Sequence, residues 1–65
     1  MNKLKQYRKI AGMTQPQLAD AAEISVRTLQ DYEQGRKPLE KAAAITVLRL
    51  ARAMSCTVED LIEEK

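Results

Sequence analysis

Residues 13–35, MTQPQLADAAEISVRTLQDYEQG, decide the fold of this chain. Thr14 and Ser25 are both good N-cap residues, because a side-chain oxygen can accept from the free N–H groups of a first helical turn. An apolar residue precedes each cap and another follows four positions after it. These pairs, Met13 with Leu18 and Ile24 with Leu29, have the spacing of a hydrophobic staple. Gln17 stands three after Thr14 and completes a capping box. Pro16 falls in the first turn, where its missing N–H costs nothing. The spacing predicts one helix from about Gln15 to Ala21 or Ala22, and a second from about Val26 to Gln34. Gly35 ends the second, as a residue free to take the left-handed conformation at C′.

Two short helices joined by about three residues make a helix-turn-helix unit, at about residues 14–35. In such units the second helix typically enters the DNA major groove. Leu29, Tyr32 and the stem of Glu33 share a stripe at helical spacing and are expected to face inward. Val26, Arg27, Gln30, Asp31 and Gln34 lie away from that stripe and are expected to be exposed. They form no Lys–Glu ladder of the ordinary solvated kind. They offer donors and acceptors of the types that read base edges, with Arg27 in the first turn, where recognition helices touch bases. A purely solvated polar face has the same composition, so this pattern alone leaves both readings open.

Composition agrees with a small helical domain. The chain has 65 residues, expected to be a single domain over 1–65. A domain of this size buries only about 60% of its unfolded surface. Ala, Leu, Lys, Glu, Arg and Gln dominate, with two Gly and two Pro, and no stretch alternates with period two. An all-α fold follows. With no Phe or Trp, the core must be built from Leu, Ile, Met, Ala and two Tyr. Net charge is +2; residues 1–41 carry eight basic and five acidic side chains, residues 42–65 three and four. That asymmetry points weakly to a polyanionic partner. No apolar run reaches the roughly 18 residues of a membrane span. Lys3, Lys5, Arg8 and Lys9 interrupt any signal-peptide core. The one cysteine, Cys56, cannot form an internal disulfide, which fits a reducing cytoplasm. Histidine is absent, which removes the commonest general base and zinc ligand. No catalytic residue, metal, cofactor, small-molecule ligand or membrane partner is expected, and no enzymatic activity.

Working outward, the first helix is expected over about Asn2 to Ala11, stopping at Gly12. Leu4, Tyr7, Arg8 and Ala11 follow the pattern of a buried stripe. Arg8 is the anomaly, because a charge at a core-facing position is costly unless paired. It either finds a partner or snorkels to the surface. After Gly35 comes RKPLEK, where Lys37 before Pro38 favours extended geometry and marks a loop. The fourth helix is expected over about Leu39 to Met54. It is apolar at Ala43, Ala44, Ile45, Val47, Leu48, Leu50, Ala51 and Met54, more than one stripe, as for a central helix with several neighbours. The last helix starts at Thr57, with Cys56 and Leu61 as a third staple and Asp60 at the capping-box position. Glu59 and Asp60 suit the positive N-terminal end of a helix. Val58, Leu61 and Ile62 give its apolar stripe, and Cys56 reads as a small buried hydrophobe.

The run TQPQLA followed by ISVRTLQDYEQG resembles the helix-turn-helix family of phage lambda Cro and repressor, the XRE-like domains. That family typically shows Thr or Ser, then Gln, an apolar-Ala pair, a turn, Ser at the next cap and a closing Glu-x-Gly. LKQYRKIAGMT before the motif and CTVEDL after it extend the resemblance over nearly the whole chain. It implies a lambda repressor-like, compact five-helix bundle. It also implies sequence-specific binding of a double-stranded DNA operator by a small, repressor-like transcriptional regulator, dimeric at least on DNA. In similar proteins an arginine at the place of Arg8 pairs with the glutamate of Glu-x-Gly, here Glu33; both also lie on inward stripes. Gln15 resembles a family residue that contacts phosphate and buttresses the interface. The loop of Arg36 and Lys37 would lie along the DNA backbone.

Positions on the second motif helix assign base readout to Val26, Arg27, Gln30 and Asp31. Arg27 would reach guanine O6 and N7, Val26 a thymine methyl, and Gln30 or Asp31 an adenine or cytosine edge. Ser25, Thr28 and Gln34 join Gln15, Arg36 and Lys37 as backbone contacts. Ile62 and Leu50 are the expected dimer interface. Two departures from the family stand out. Glu23 occupies a usual glycine position, so either it adopts positive φ at a strain of about 1 kcal/mol or the turn is drawn differently. The fourth helix is about one turn longer, with AAAIT either extending the core or offering a surface to a partner. The alternative function is a protein-interaction module on the same fold, such as an antitoxin or antirepressor, working through the fourth helix or the acidic tail.

Overall fold

A computed structural model describes residues 2–62. The elements in order are α1 (Leu4–Ile10), α2 (Gln15–Ala22), α3 (Val26–Glu33), a 3₁₀ turn (Leu39–Lys41), α4 (Ala44–Ala53) and α5 (Val58–Leu61). The fold is an all-α bundle of five helices. Among the described residues the one extended pairing is an isolated antiparallel bridge between Asn2 and Ile62.

The expected caps organise the helix starts. Thr14 Oγ1 accepts from Gln17 N while Thr14 N donates to Gln17 Oε1, a reciprocal capping box. Thr57 and Asp60 repeat it on α5. Ser25 Oγ accepts from Thr28 N at 3.0 Å. Helix ends are equally regular. α1, α2 and α4 each close with a left-handed residue, namely Gly12 (φ +70°), Glu23 (φ +60°) and Ser55 (φ +56°). Its N–H, and that of the next residue, bond back to carbonyls of the last turn: Gly12 to Lys9 and Met13 to Arg8, Glu23 to Asp20 and Ile24 to Ala19, Ser55 to Arg52 and Cys56 to Ala51. This is the Schellman closure, which satisfies orphan carbonyls. Met13, Ile24 and Cys56 pack on the core and directly precede the caps Thr14, Ser25 and Thr57. One apolar residue therefore ends one helix and staples the next. Glu23 does adopt the positive φ that makes glycine usual there.

Each of the six elements contributes one fully buried leucine: Leu4, Leu18, Leu29, Leu39, Leu50 and Leu61. Ala19, Ala22, Val47, Ala51 and Met54 fill between them. Full burial of one leucine side chain contributes about 1.5–3 kcal/mol, and the small alanines of α2 let α4 approach closely.

Several expectations are corrected. α1 starts at Leu4, not Asn2, and ends at Ile10. Asn2 is extended because it has other partners. Its Oδ1 accepts from Leu4 N at 3.0 Å, its Nδ2 donates to Tyr32 O at 3.1 Å, and the neighbouring Lys3 N donates to Leu61 O at 2.8 Å. Ala11 lies past the last turn and is exposed.

The expected Leu39–Met54 helix is interrupted. Ala42 and Ala43 are extended (ψ 160° and 137°), so α4 begins only at Ala44, and of AAAIT only Ala44, Ile45 and Thr46 are helical. Tertiary packing overrides the high helix propensity of alanine. At 1.5 Å per residue a continuous helix would hold Leu39 about 16 Å along the axis from Leu50. The break lets Leu39 fold back into the core.

Only one stripe of α4 is then buried. Ile45 and Leu48 are exposed, as is Ile10 on α1. Leu50 is fully buried and cannot form a dimer interface, and Ile62 is half-buried against the core. Cys56 is likewise half-buried, and burial first, then the Asp60 carboxylate, push its thiol pKa up. Glu63 and Glu64 of the acidic tail lie outside the described residues.

Candidate nucleic-acid interface

α3 is held from its inner side by a run of side-chain hydrogen bonds. Arg8 Nε donates to Glu33 Oε2 at 2.6 Å and Arg8 Nη2 to Glu33 Oε1 at 3.3 Å, a two-pronged ion pair. The side chains are 11% and 2% exposed. Arg8 Nη1 also donates to the carbonyl of Met13 at 2.9 Å, so α1, the turn before α2 and α3 meet at one guanidinium. Gln15 Nε2, at the start of α2, donates to Glu33 Oε1 at 3.1 Å, and Gln15 Oε1 accepts from Gln30 Nε2 at 3.2 Å. Arg8, Glu33, Gln15 and Gln30 thus form one continuous network from the interior to the outer face of α3. Among the described residues no buried side-chain polar atom lacks a partner. Removing any member would leave a desolvated group unpaired, so the network fixes where α3 lies.

The outer face divides into free and engaged groups. Arg27, Gln34, Arg36, Lys37 and Ser25 are exposed. Ser25 Oγ–H donates to Thr28 Oγ1 at 2.9 Å, which leaves the Thr28 hydroxyl proton free for an acceptor. Gln30 and Gln15 are half-buried and each keeps one amide N–H beyond the network. Three positions expected to be exposed differ, and Gln30, bonded to Gln15, is the first of them. Val26 is half-buried against the core, because the residue after the cap also faces the α2–α3 turn. Asp31 is not open: its side chain is only 14% exposed and three cations ring it. The carbonyl of the same residue accepts from the N–H groups of Arg36 (2.9 Å) and Lys37 (3.2 Å), which pins the following loop to the end of α3. Gly35 permits that return with φ +80°.

A family model described as a helix-turn-helix domain matches residues 2–64. The chain belongs to this family. Among curated proteins, none matches the chain.

Membership in the helix-turn-helix family suggests DNA binding. Among the described residues no group of His, Cys, Asp or Glu could hold a metal ion, and no helix is long and apolar enough to cross a membrane. Two residues that support this helix-turn-helix were not singled out by the sequence. Asn2 holds the Tyr32 carbonyl near the C-terminal end of α3; nothing local to Asn2 signals a partner 30 residues away. Ser55 adopts a left-handed turn. Its signal is the likeness of Gly12-Met13-Thr14, Glu23-Ile24-Ser25 and Ser55-Cys56-Thr57, each an apolar residue followed by a cap.

Proposed function

We propose that this domain is a small transcriptional regulator that binds double-stranded DNA sequence-specifically, with α3 in the major groove, and represses by occupying an operator. The observation that carries the reading is the pairing of a bonded inner network on α3 with an exposed outer side where Arg27 and the loop cations Arg36 and Lys37 gather. Recognition requires side chains held in fixed register with base edges. The Arg8–Glu33–Gln15–Gln30 network supplies that register. Arg27, exposed in the first turn of α3, reads guanine by a bidentate contact. Gln30 follows with its free amide groups, and the methyls of Val26 lie at the edge of the face. Gln15, Ser25, Thr28, Gln34, Arg36 and Lys37 contact phosphates, fixing orientation without carrying sequence information.

One motif spans a half-site, so two copies bind a two-fold site with half-sites about one helical turn apart. The domain acts in the cytoplasm and needs no cofactor or small-molecule ligand. Titration into mixed-sequence duplex at low salt, followed by in vitro selection, tests the reading. A shift that weakens steeply with salt, and a selected palindrome, are expected. No shift at low salt would sink the DNA reading and leave a protein-interaction module working through the fourth helix or the acidic tail. Sedimentation showing one chain per selected site would remove the dimer alone.

A further inference from the structure

Asp31 is the one acidic side chain on the outer side of α3, and three cations share it. Arg27 Nε lies 4.0 Å from Oδ1, Arg36 Nη1 3.5 Å from Oδ1 and Lys37 Nζ 3.9 Å from Oδ2. At 14% exposure the carboxylate is set back behind them, whereas Arg27 is 81% exposed. A single negative charge beneath three positive ones is an incomplete match, and the surplus faces outward. The atoms involved matter. Arg27 approaches Asp31 through Nε, so both of its terminal Nη groups stay free, and these are the groups that form a bidentate contact with guanine O6 and N7.

We infer that Asp31 is a positioning residue: it does not read a base itself but orients Arg27 for readout, and it exchanges Arg36 and Lys37 for DNA phosphates. The inference rests on the DNA reading above. In the free protein the carboxylate gathers all three cations. On DNA the loop cations turn to phosphates, stronger anionic partners close at hand, and Asp31 is left to Arg27, one helical turn before it. The carboxylate also opposes the nearby polyanion whatever its sequence. Asp31 therefore weakens binding to every duplex while sharpening the preference for one base pair.

The experiment compares affinities for a selected site, for the same site changed at the base pair contacted by Arg27, and for mixed-sequence duplex. The proteins are the wild type, Asp31→Asn, Arg27→Ala and the double variant, with circular dichroism to check folding. Asp31→Asn is expected to tighten mixed-sequence binding several-fold and to reduce the preference at that base pair at least threefold. In the Arg27→Ala background, Asp31→Asn should tighten binding as before but leave the remaining preference unchanged. A folded Asp31→Asn protein with wild-type preference overturns the inference while the DNA reading stands. So does a preference change that persists without Arg27, since that would mean direct reading by Asp31. If Asp31→Asn fails to fold, Arg36→Gln/Lys37→Gln serves instead. It should weaken all three duplexes by the same factor, and a changed preference there overturns the inference. A wild-type protein that binds no duplex overturns both readings together.

Discussion

The chain leaves α1, α2 and α4 through a turn that ends in the core, and leaves α3 through the same backbone turn ending at the surface. In the first three, a left-handed residue is followed by an apolar side chain that enters the core and then by a cap that starts the next helix. After α3 the backbone closes with the same two hydrogen bonds, Gly35 N to Tyr32 O and Arg36 N to Asp31 O. The residue in the apolar place is now Arg36, and no helix starts at Lys37. Identical backbone chemistry therefore serves two ends. Where the following residue is apolar, the turn is cemented into the bundle. Where it is cationic, the turn stays at the surface and displays charge. The division runs through α3 itself: Glu33 faces the cemented side with one half-buried arginine, and Asp31 faces the displayed side with three exposed cations.

The sharpest way to break the contrast is at Arg8 and Glu33. Arg8→Met or Glu33→Leu alone should each cost about 3–5 kcal/mol, because either leaves the other charge buried and unpaired. Total stability of a domain is typically about 5–15 kcal/mol, so either variant would unfold readily. The double variant should be clearly more stable than either single one. Urea denaturation of all four proteins measures the coupling; additive losses under about 1 kcal/mol would place this pair in the same class as exposed ones.

On the displayed side the corresponding change should spare the fold. Arg27→Ala is expected to keep the wild-type melting curve and to weaken the selected site by about 1–3 kcal/mol, relaxing one base pair per half-site. Unchanged affinity and preference in a gel-shift comparison would remove Arg27 from readout.

The likeness of the three cemented turns can be sharpened at their left-handed residues. Glu23→Gly relieves a side-chain clash of about 1–2 kcal/mol and adds unfolded-state freedom costing about 0.5–1 kcal/mol. A net gain of about 0.5–1 kcal/mol is expected, since the 3.8 Å contact of Glu23 with Arg49 joins two solvated groups. Ser55→Gly should match it in a urea midpoint measurement; a loss in either would mean that the two turns are held differently.

The smallest effect concerns acid. Hydrogen bonds from Thr57, first its backbone N–H and then its hydroxyl, hold the Asp60 carboxyl below its ordinary value, and Lys3 adds to this. A folded-state pKa that is depressed means stabilisation present above the ordinary aspartate range and lost as pH falls through the lowered value. Asp60→Asn should be slightly less stable at neutral pH and should show a shallower loss of stability below about pH 4. Parallel acid limbs for the two proteins would show that the α5 cap contributes nothing.

What could be read from the residues was the local part. Caps, boxes and staples join positions three to five apart, so Thr14, Ser25 and Thr57 announced their helices directly. The stripe of α3 placed Leu29, Tyr32 and Glu33 inward by the same logic. What could not be read depends on distant neighbours. Nothing near Ala42 and Ala43 opposes a helix; only the burial of Leu39 does. Asp31 has the spacing of an exposed residue, and it is the return of the loop after Gly35 that covers it. Arg8 was visibly misplaced for a lone charge, but its partner 25 residues away came from family resemblance, because periodicity gives faces and not pairings.

The hydrogen bonds of Asn2 and Lys3 to Tyr32 and Leu61, with the bridge to Ile62, have a consequence for biosynthesis. Ribosomes release a chain from its N-terminus. The strand-like piece at Asn2–Lys3 leaves before its pairing segment, since Leu61 is made 58 residues after its partner Lys3. Until then the core lacks its α5 leucine, and Lys3 N lacks the Leu61 carbonyl that it bonds. Closure therefore waits until Leu61 and Ile62 have emerged. A donor dye at Lys3 and an acceptor at Ile62 on a stalled nascent chain would report it as a late step in energy transfer.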